Sequence, residues 1–279
     1  MRRPHTGLVA PISAELLADA AETAEEAARR HGLRVAQLHD FADHEAAVAL
    51  LCDVWGVDSP QDLVNPSLLR ALAHSGNYVA GAYAGERLVG AAVAFFGVDH
   101  LHSHITGVDQ STQARGVGYA LKQHQRAWTL ARGLTRVCWT FDPLVRRNAW
   151  FNLHKLRAGA TAYLPDFYGA LKDGINSGDA SDRLYVDWRL DAPAGDPPLA
   201  GAAVLLDCAG DSPVAAAPPP GADTLLVATP PDVEGLRRRD AELAGRWRYA
   251  VRDALVGAFD RGYRISGFTR DGRYVLERR

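Results

Sequence analysis

The chain has 279 residues, 47% of them hydrophobic and 23% charged, enough to bury a full core as one large domain or two. A formal net charge of −2 gives no reason to expect nucleic acid, and no apolar run has the length of a membrane span or a signal peptide. Three scattered cysteines, Cys52, Cys138 and Cys208, exclude a disulfide framework or a Cys-x-x-Cys metal site and fit a reducing compartment, so a soluble cytoplasmic protein is expected.

Residues 1–10 read as a loose arm. Residues 13–30 read as a helix with Ser13 as N-cap and Gly32 as its stop. Its apolar stripe (Leu16, Leu17, Ala20, Ala24, Ala27) is mostly alanine, which predicts light packing on the surface. Residues 34–39 alternate as a first strand. Asp43 is read as the cap of a helix running to Trp55, and a second short helix follows Pro66. Residues 78–84 and 88–96 form a hairpin about Gly85-Glu86, the second strand apolar on both faces as in mid-sheet. In the next strand, residues 100–108, strict alternation places His100, His102, His104, Thr106 and Val108 on one side. Leu101, Ser103, Ile105 and Gly107 take the other.

A glycine-rich turn and an amphipathic helix come next. Val117, Ala120, Leu121, His124, Ala127, Trp128 and Ala131 share one face, while Lys122, Gln123, Arg126, Thr129 and Arg132 take the polar one. Gly133 is placed to end it. At the front, Gln113-Ala114-Arg115-Gly116-Val117-Gly118 sets two residues without a Cβ where backbone N–H groups lack intrahelical acceptors. Such a turn suits a phosphate or pyrophosphate, and equally reads as a tight strand-to-helix connection. Leu121 stands where a dinucleotide fingerprint needs its third glycine, and no Gly-Lys-Ser/Thr follows, so neither a Rossmann turn nor a P-loop is matched.

Residues 136–141 are an apolar strand ending at Asp142-Pro143, residues 148–156 a short helix closed near Gly159, and residues 182–190 the last strand of this unit. Residues 191–198 and 215–221 are linkers by composition. Around them lie strands at 203–206 and 224–228, a helix over 232–260, and two closing strands at 263–269 and 274–277. This divides the chain into an N-terminal helical extension (1–32), a main domain (33–190) and a C-terminal α/β domain (200–279).

This order resembles the GNAT superfamily of acyl-CoA N-acyltransferases. Gln113, Gly116 and Gly118 meet its Q/R-x-x-G-x-G/A signature, and Asn148 and Gly159 have the spacing of its second motif. More narrowly, CWTFDPLVRRNAWFNLHKL with Tyr168-Gly169 and SDRLYVDW is similar to a branch with an appended C-terminal domain. The resemblance implies an α/β (α+β) fold whose mixed central sheet splays between its fourth and fifth strands. It implies acyl-CoA, acetyl or succinyl, as co-substrate without a metal, a small-molecule amine as acceptor, and admits a homodimer. Main chain across Gln113, Ala114, Arg115, Gly116, Val117, Gly118 and Tyr119 would hold the CoA pyrophosphate. Thr106 and Val108 would run along the pantetheine arm, with Asn148 beside it. Many relatives place a tyrosine acid seven residues after that asparagine. Here the position is Lys155, preceded by His154. Tyr163 or Tyr168 could replace the acid.

Attack by an amine on a thioester needs a proton acceptor and oxyanion donors. His102 and His104 can take a proton near neutrality, or serve as core imidazoles; a metal site would need a third ligand, which is not evident nearby in the sequence and which only the fold could bring. His124, on the apolar stripe, reads as structural. Asp142, ending a strand, suits a catalytic role or a plain turn. Lys155 can reach the CoA 3′-phosphate or remain a solvated lysine. Arg248 and Arg252, four residues apart, can clamp a substrate carboxylate or pair with Asp240, Glu242 and Asp253. A non-catalytic CoA sensor on the same scaffold is the alternative function.

Overall fold

The computed structural model describes residues 11–60, 63–112, 115–169, 179–192 and 195–278. Helix α1 (Ala14–Arg29) starts at Ser13, whose side chain accepts from the Leu16 N–H, and leads to β1 (Leu33–Gln37). Helix α2 (Phe41–Trp55) has Asp40 as its N-cap residue rather than Asp43, and α3 (Pro66–His74) is capped by Asn65. Three strands follow: β2 (Tyr78–Ala84), β3 (Arg87–Phe96) and β4 (Leu101–Val108). Then come α4 (Val117–Leu130), β5 (Arg136–Phe141) and α5 (Arg146–Ala149), which continues into a π-helical turn, Trp150–Lys155. Gly159 does not merely stop this helix. It opens β6 (Gly159–Leu164), a strand absent from the sequence reading, before β7 (Arg183–Arg189).

The C-terminal part comprises β8 (Ala203–Ala209), β9 (Ser212–Ala215), β10 (Thr224–Ala228), α6 (Val233–Arg239), α7 (Ala241–Asp260), β11 (Tyr263–Phe268) and β12 (Arg273–Arg278). The single helix expected over 232–260 is two. Asp240 breaks out of helical geometry at φ −155°, and its carboxylate accepts from the Leu243 N–H at 2.9 Å to start α7.

Among the described residues the strands form one mixed sheet in the order β1-β2-β3-β4-β5-β7-β6-β11-β12-β10-β8-β9. The C-terminal strands extend the sheet of residues 33–190, joining it where Ile265 pairs with Ala160. On one face α2 and α3 enclose Leu38, Leu51, Leu69, Val79 and Val93. On the other, α1 and α4 begin a core that continues through Trp139, Val186 and Trp247 to Leu276. Helix α1 is more than a light cover. Ala20 is 0% exposed, and Ala24 and Ala27 are buried too, because alanine side chains let the α1 backbone approach α4 closely.

Two features of β4 shape the site. Its register against β3 shifts between Val93↔Ile105 and Ala94↔Ser103, leaving His104 unopposed as a bulge. A bulge reverses the faces on either side of it, so the alternation expected for residues 100–108 fails. Ile105 packs with the α2 cluster, and a Cβ on Gly107 would lie 2.7 Å from Leu51 Cδ2. Val108 belongs to the α4 side, and so, before the bulge, does Ser103. His102 faces away from α4. Second, β4 pairs with β5 in parallel only at Leu101↔Val137 and His102↔Cys138. Beyond those pairs the strands separate into a fork.

Candidate functional site

The open end of the fork meets the start of α4. The N–H groups of Val117, Gly118 and Tyr119 precede the first backbone bond of this helix, from the Ala120 N–H to the Gly116 carbonyl at 2.9 Å, and among the described residues no side chain caps them. Gly116 holds φ 77°, the left-handed region that a residue with a Cβ resists. A Cβ on Gly118 would lie 3.8 Å from Val108 and 4.0 Å from Phe151, so β4, α4 and the π-helical turn converge there without filling the space beside the main chain. The result is a turn of helix-start N–H groups at the positive end of a helix dipole. Arg115 is exposed beside it, and Tyr119 is partly buried. Gln113 and Ala114 lie outside the described residues. Thr106 and Val108 flank the fork from β4; Asn148 and exposed Lys155 belong to α5 and the π-helical turn. His31, just past the end of α1, leaves no room for a Cβ on Gly116. Nothing local in the sequence pointed to His31, because its position depends on α1 packing against α4.

On the sheet face away from α4, His102 lies beside Cys138. The Phe95 ring is 5.0 Å from that of His102 and 5.7 Å from that of His104. Burial, then the repulsion between charged forms of His102 and its neighbours His104, His100 and Lys122, pushes His102 down to about 4, and burial also lowers His104. Both are therefore neutral imidazoles at neutral pH. Two residues beyond Cys138, Thr140 Oγ1 lies 3.1 Å from the Tyr168 hydroxyl, and Tyr168 is 42% exposed. Tyr163 is no comparable acid. It is buried, donates to Asp182 at 2.6 Å, and is raised by burial and by that carboxylate.

Asp142 and Arg248 are buried together, and Arg252 is partly buried. Arg248, 1% exposed, donates to Asp142 at 2.8 and 2.9 Å and to Asp179 at 2.8 Å. Arg237 of α6 donates to the same two carboxylates, at 2.6 and 2.9 Å. Arg252 pairs with Asp182 through bonds of 2.9 and 2.6 Å. Burial alone would raise Asp142; the guanidinium groups of Arg248 and then Arg237 overcome it and hold the carboxyl well below the usual carboxylate range. This corrects the readings of Asp142 as catalytic and of the two arginines as a substrate clamp. It also replaces the expected partners Asp240, Glu242 and Asp253 with distant ones, which join the C-terminal helices to the ends of β5 and β7.

Lys122 was missed. Placed on the polar face by its charge, it is 5% exposed, because the fork and the rest of α4 enclose it. Its ammonium lies 2.8 Å from Ser103 Oγ, 3.1 Å from Gln125 Oε1 and 4.0 Å from the Trp139 ring centre. Burial pushes it down to about 7. His124, by contrast, has the structural role expected of it, with Nδ1 2.9 Å from the Tyr78 hydroxyl.

No protein-family model matches the chain, and no curated protein does either. Solved structures do. The yncA protein of Salmonella typhimurium, solved with its cofactor acetyl-CoA, is similar at 15% identity and a TM-score of 0.46, over 60% of this chain and 98% of that one. An N-acetyltransferase from Staphylococcus aureus Mu50 gives 15% identity and a TM-score of 0.47, over 57% and 99%. The ribosomal-protein-S18-alanine N-acetyltransferase from Escherichia coli gives 15% and 0.44, over 60% and 98%. Two helices follow β1, an antiparallel run leads to β4, and β4 is joined to β5 by a glycine-turn helix and parts from it in a fork. Residues 33–190 thus have the order of elements, the glycine-turn helix and the fork that the resemblance to the GNAT superfamily implied.

Proposed function

We propose that the protein is an acyl-CoA-dependent N-acyltransferase acting on the amine of a small molecule. The observation that carries this reading is the uncapped, glycine-lined start of α4 at the mouth of the β4/β5 fork. Peptide N–H groups of Val117, Gly118 and Tyr119 would take the CoA pyrophosphate, with His31 and Arg115 beside it. Bound there, the co-substrate supplies an activated acyl thioester. Past His102 the edge of β4 facing β5 has no strand partner, which leaves its main chain free to line the pantetheine arm and to donate to a developing oxyanion.

The amine approaches from the face away from α4, where His102 and His104 are neutral and able to accept its proton. Tyr168, hydrogen-bonded to Thr140 near the tip of β5, would serve as the acid for the departing thiolate. Direct transfer in a ternary complex follows, since every group named acts on substrate in place. The position usually held by a tyrosine acid is Lys155, and this favours a second reading, a CoA sensor without turnover. Thiol release from acetyl-CoA and succinyl-CoA with a panel of amines separates the two. Turnover on any amine supports the enzyme; saturable CoA binding with no turnover supports the sensor.

A further inference from the structure

Three polar side chains are sealed at the floor of the fork: Ser103 on β4, with Lys122 and Gln125 on α4. Ser103 and Trp139 are the first residues beyond the last β4/β5 pair, and the Lys122 ammonium sits between them. The cluster has an excess of donors. When charged, Lys122 carries three protons, and its two hydrogen bonds go to the neutral oxygens of Ser103 and Gln125. The Gln125 Nε2 is buried with no hydrogen-bond partner. No ion pair joins Lys122 to a carboxylate among the described residues, although a buried cation is strongly disfavoured without a counter-ion. Buried donors without acceptors in a native core call for an explanation, and an anion from outside supplies one.

We propose that this cluster receives a carboxylate at the far end of the acyl chain, so that the group passed from CoA to the amine is an acyl chain ending in a carboxylate, such as succinyl, rather than acetyl. The inference rests on the CoA reading above. A pyrophosphate at the start of α4 directs the pantetheine arm down the fork. From Val108 to Ser103 is about 15 Å of strand, a span of the same order as that extended arm. The acyl end therefore arrives at the floor, on the α4 side, whereas the acceptor amine enters from the His102 face. Lys122, lowered to about 7 by burial, regains its proton when the carboxylate binds.

The test is calorimetry on the full chain with succinyl-CoA, butyryl-CoA and CoA, on wild type, Lys122→Met and Gln125→Glu. Butyryl matches succinyl in length without the charge. Wild type should bind succinyl-CoA at least tenfold tighter than butyryl-CoA and take up a proton at pH 8 with the former alone, read from the dependence of the heat on the buffer. Lys122→Met should lose both effects. Gln125→Glu, which gives Lys122 an internal counter-ion, should lose them as well and covers the case in which Lys122→Met fails to fold. Equal affinity for the two thioesters, with CoA binding intact, overturns this inference alone. No binding of any CoA species overturns the proposed function with it. If Lys122→Met instead abolishes a preference for amino acids over their amides, the carboxylate belongs to the acceptor and the acyl assignment is wrong.

Discussion

Replacing Arg248 by methionine separates a structural from a substrate-binding arginine. The side chain is 1% exposed and makes two bonds to Asp142 and one of 2.8 Å to Asp179. Removing one partner of a buried ion pair costs about 3–5 kcal/mol. Asp142 would keep Arg237 at 2.6 Å and the Leu144 N–H at 2.9 Å, which argues for the lower end. A loss of about 3 kcal/mol corresponds to a fall of about 6–12 °C in Tm for a chain of this size. The pH dependence has a definite sign. Asp142 is held below its unfolded value of about 3.9, so its stabilisation is present above that pH and is lost as pH falls further. Without Arg248 burial is less opposed and the Asp142 pKa climbs. Protonation then relieves the variant on acidification, and its deficit should narrow between pH 7 and pH 4. Urea denaturation of wild type and Arg248→Met at both pH values gives the two deficits. A deficit under about 1 kcal/mol at pH 7 would refute the reasoning, given what a buried pair is worth. So would an unchanged deficit at pH 4, or a variant of normal stability with a raised KM for one carboxylated substrate.

Lys122 has the opposite linkage. Its folded pKa of about 7 lies below the unfolded value of 10.5, so the unfolded chain binds more protons between these limits and stability rises with pH across them. Lys122→Met should remove that rise and increase Tm at neutral pH; a rise that persists in the variant would assign it to another group. With His102 lowered to about 4, the acid limb of kcat/KM should lie near pH 4 if His102 is the base, and a limb at 6.5 would exclude it. Tyr168→Phe, which removes a hydroxyl 3.1 Å from Thr140 Oγ1, should lower kcat by up to about 100-fold with little change in KM or Tm. A normal kcat would leave the thiolate to depart without an acid.

What could be read from the sequence was what depends on neighbours along the chain. Ser13 caps its helix, the pair Gly116 and Gly118 stands at the start of α4, and Val117, Ala120, Leu121 and Trp128 face the core, all from local spacing. Contacts between distant residues were not legible. The bulge at His104 is set by how β4 registers against β3, and one extra residue moved His102 and Ser103 to faces opposite those that alternation assigned. The strand Gly159–Leu164 was hidden because Gly159 also suits a helix stop. Arg248 finds Asp142 across more than a hundred residues, and charge alone gave no hint that Lys122 is buried.

The central claim is that peptide N–H groups at the start of α4 grip the diphosphate of coenzyme A, and Gly118→Asp tests it most directly. The position has room for a side chain, and its backbone is not in the left-handed region. An acid in the first helical turn is worth about 0.3–1 kcal/mol of helix stability, so the fold should be kept or slightly strengthened. The added carboxylate would nevertheless occupy and repel the anion's place. Titration calorimetry should show saturable uptake of one CoA per wild-type chain and none by Gly118→Asp at an unchanged Tm. Wild type that takes up no CoA, or a Gly118→Asp variant that binds it as tightly as wild type, would contradict the account.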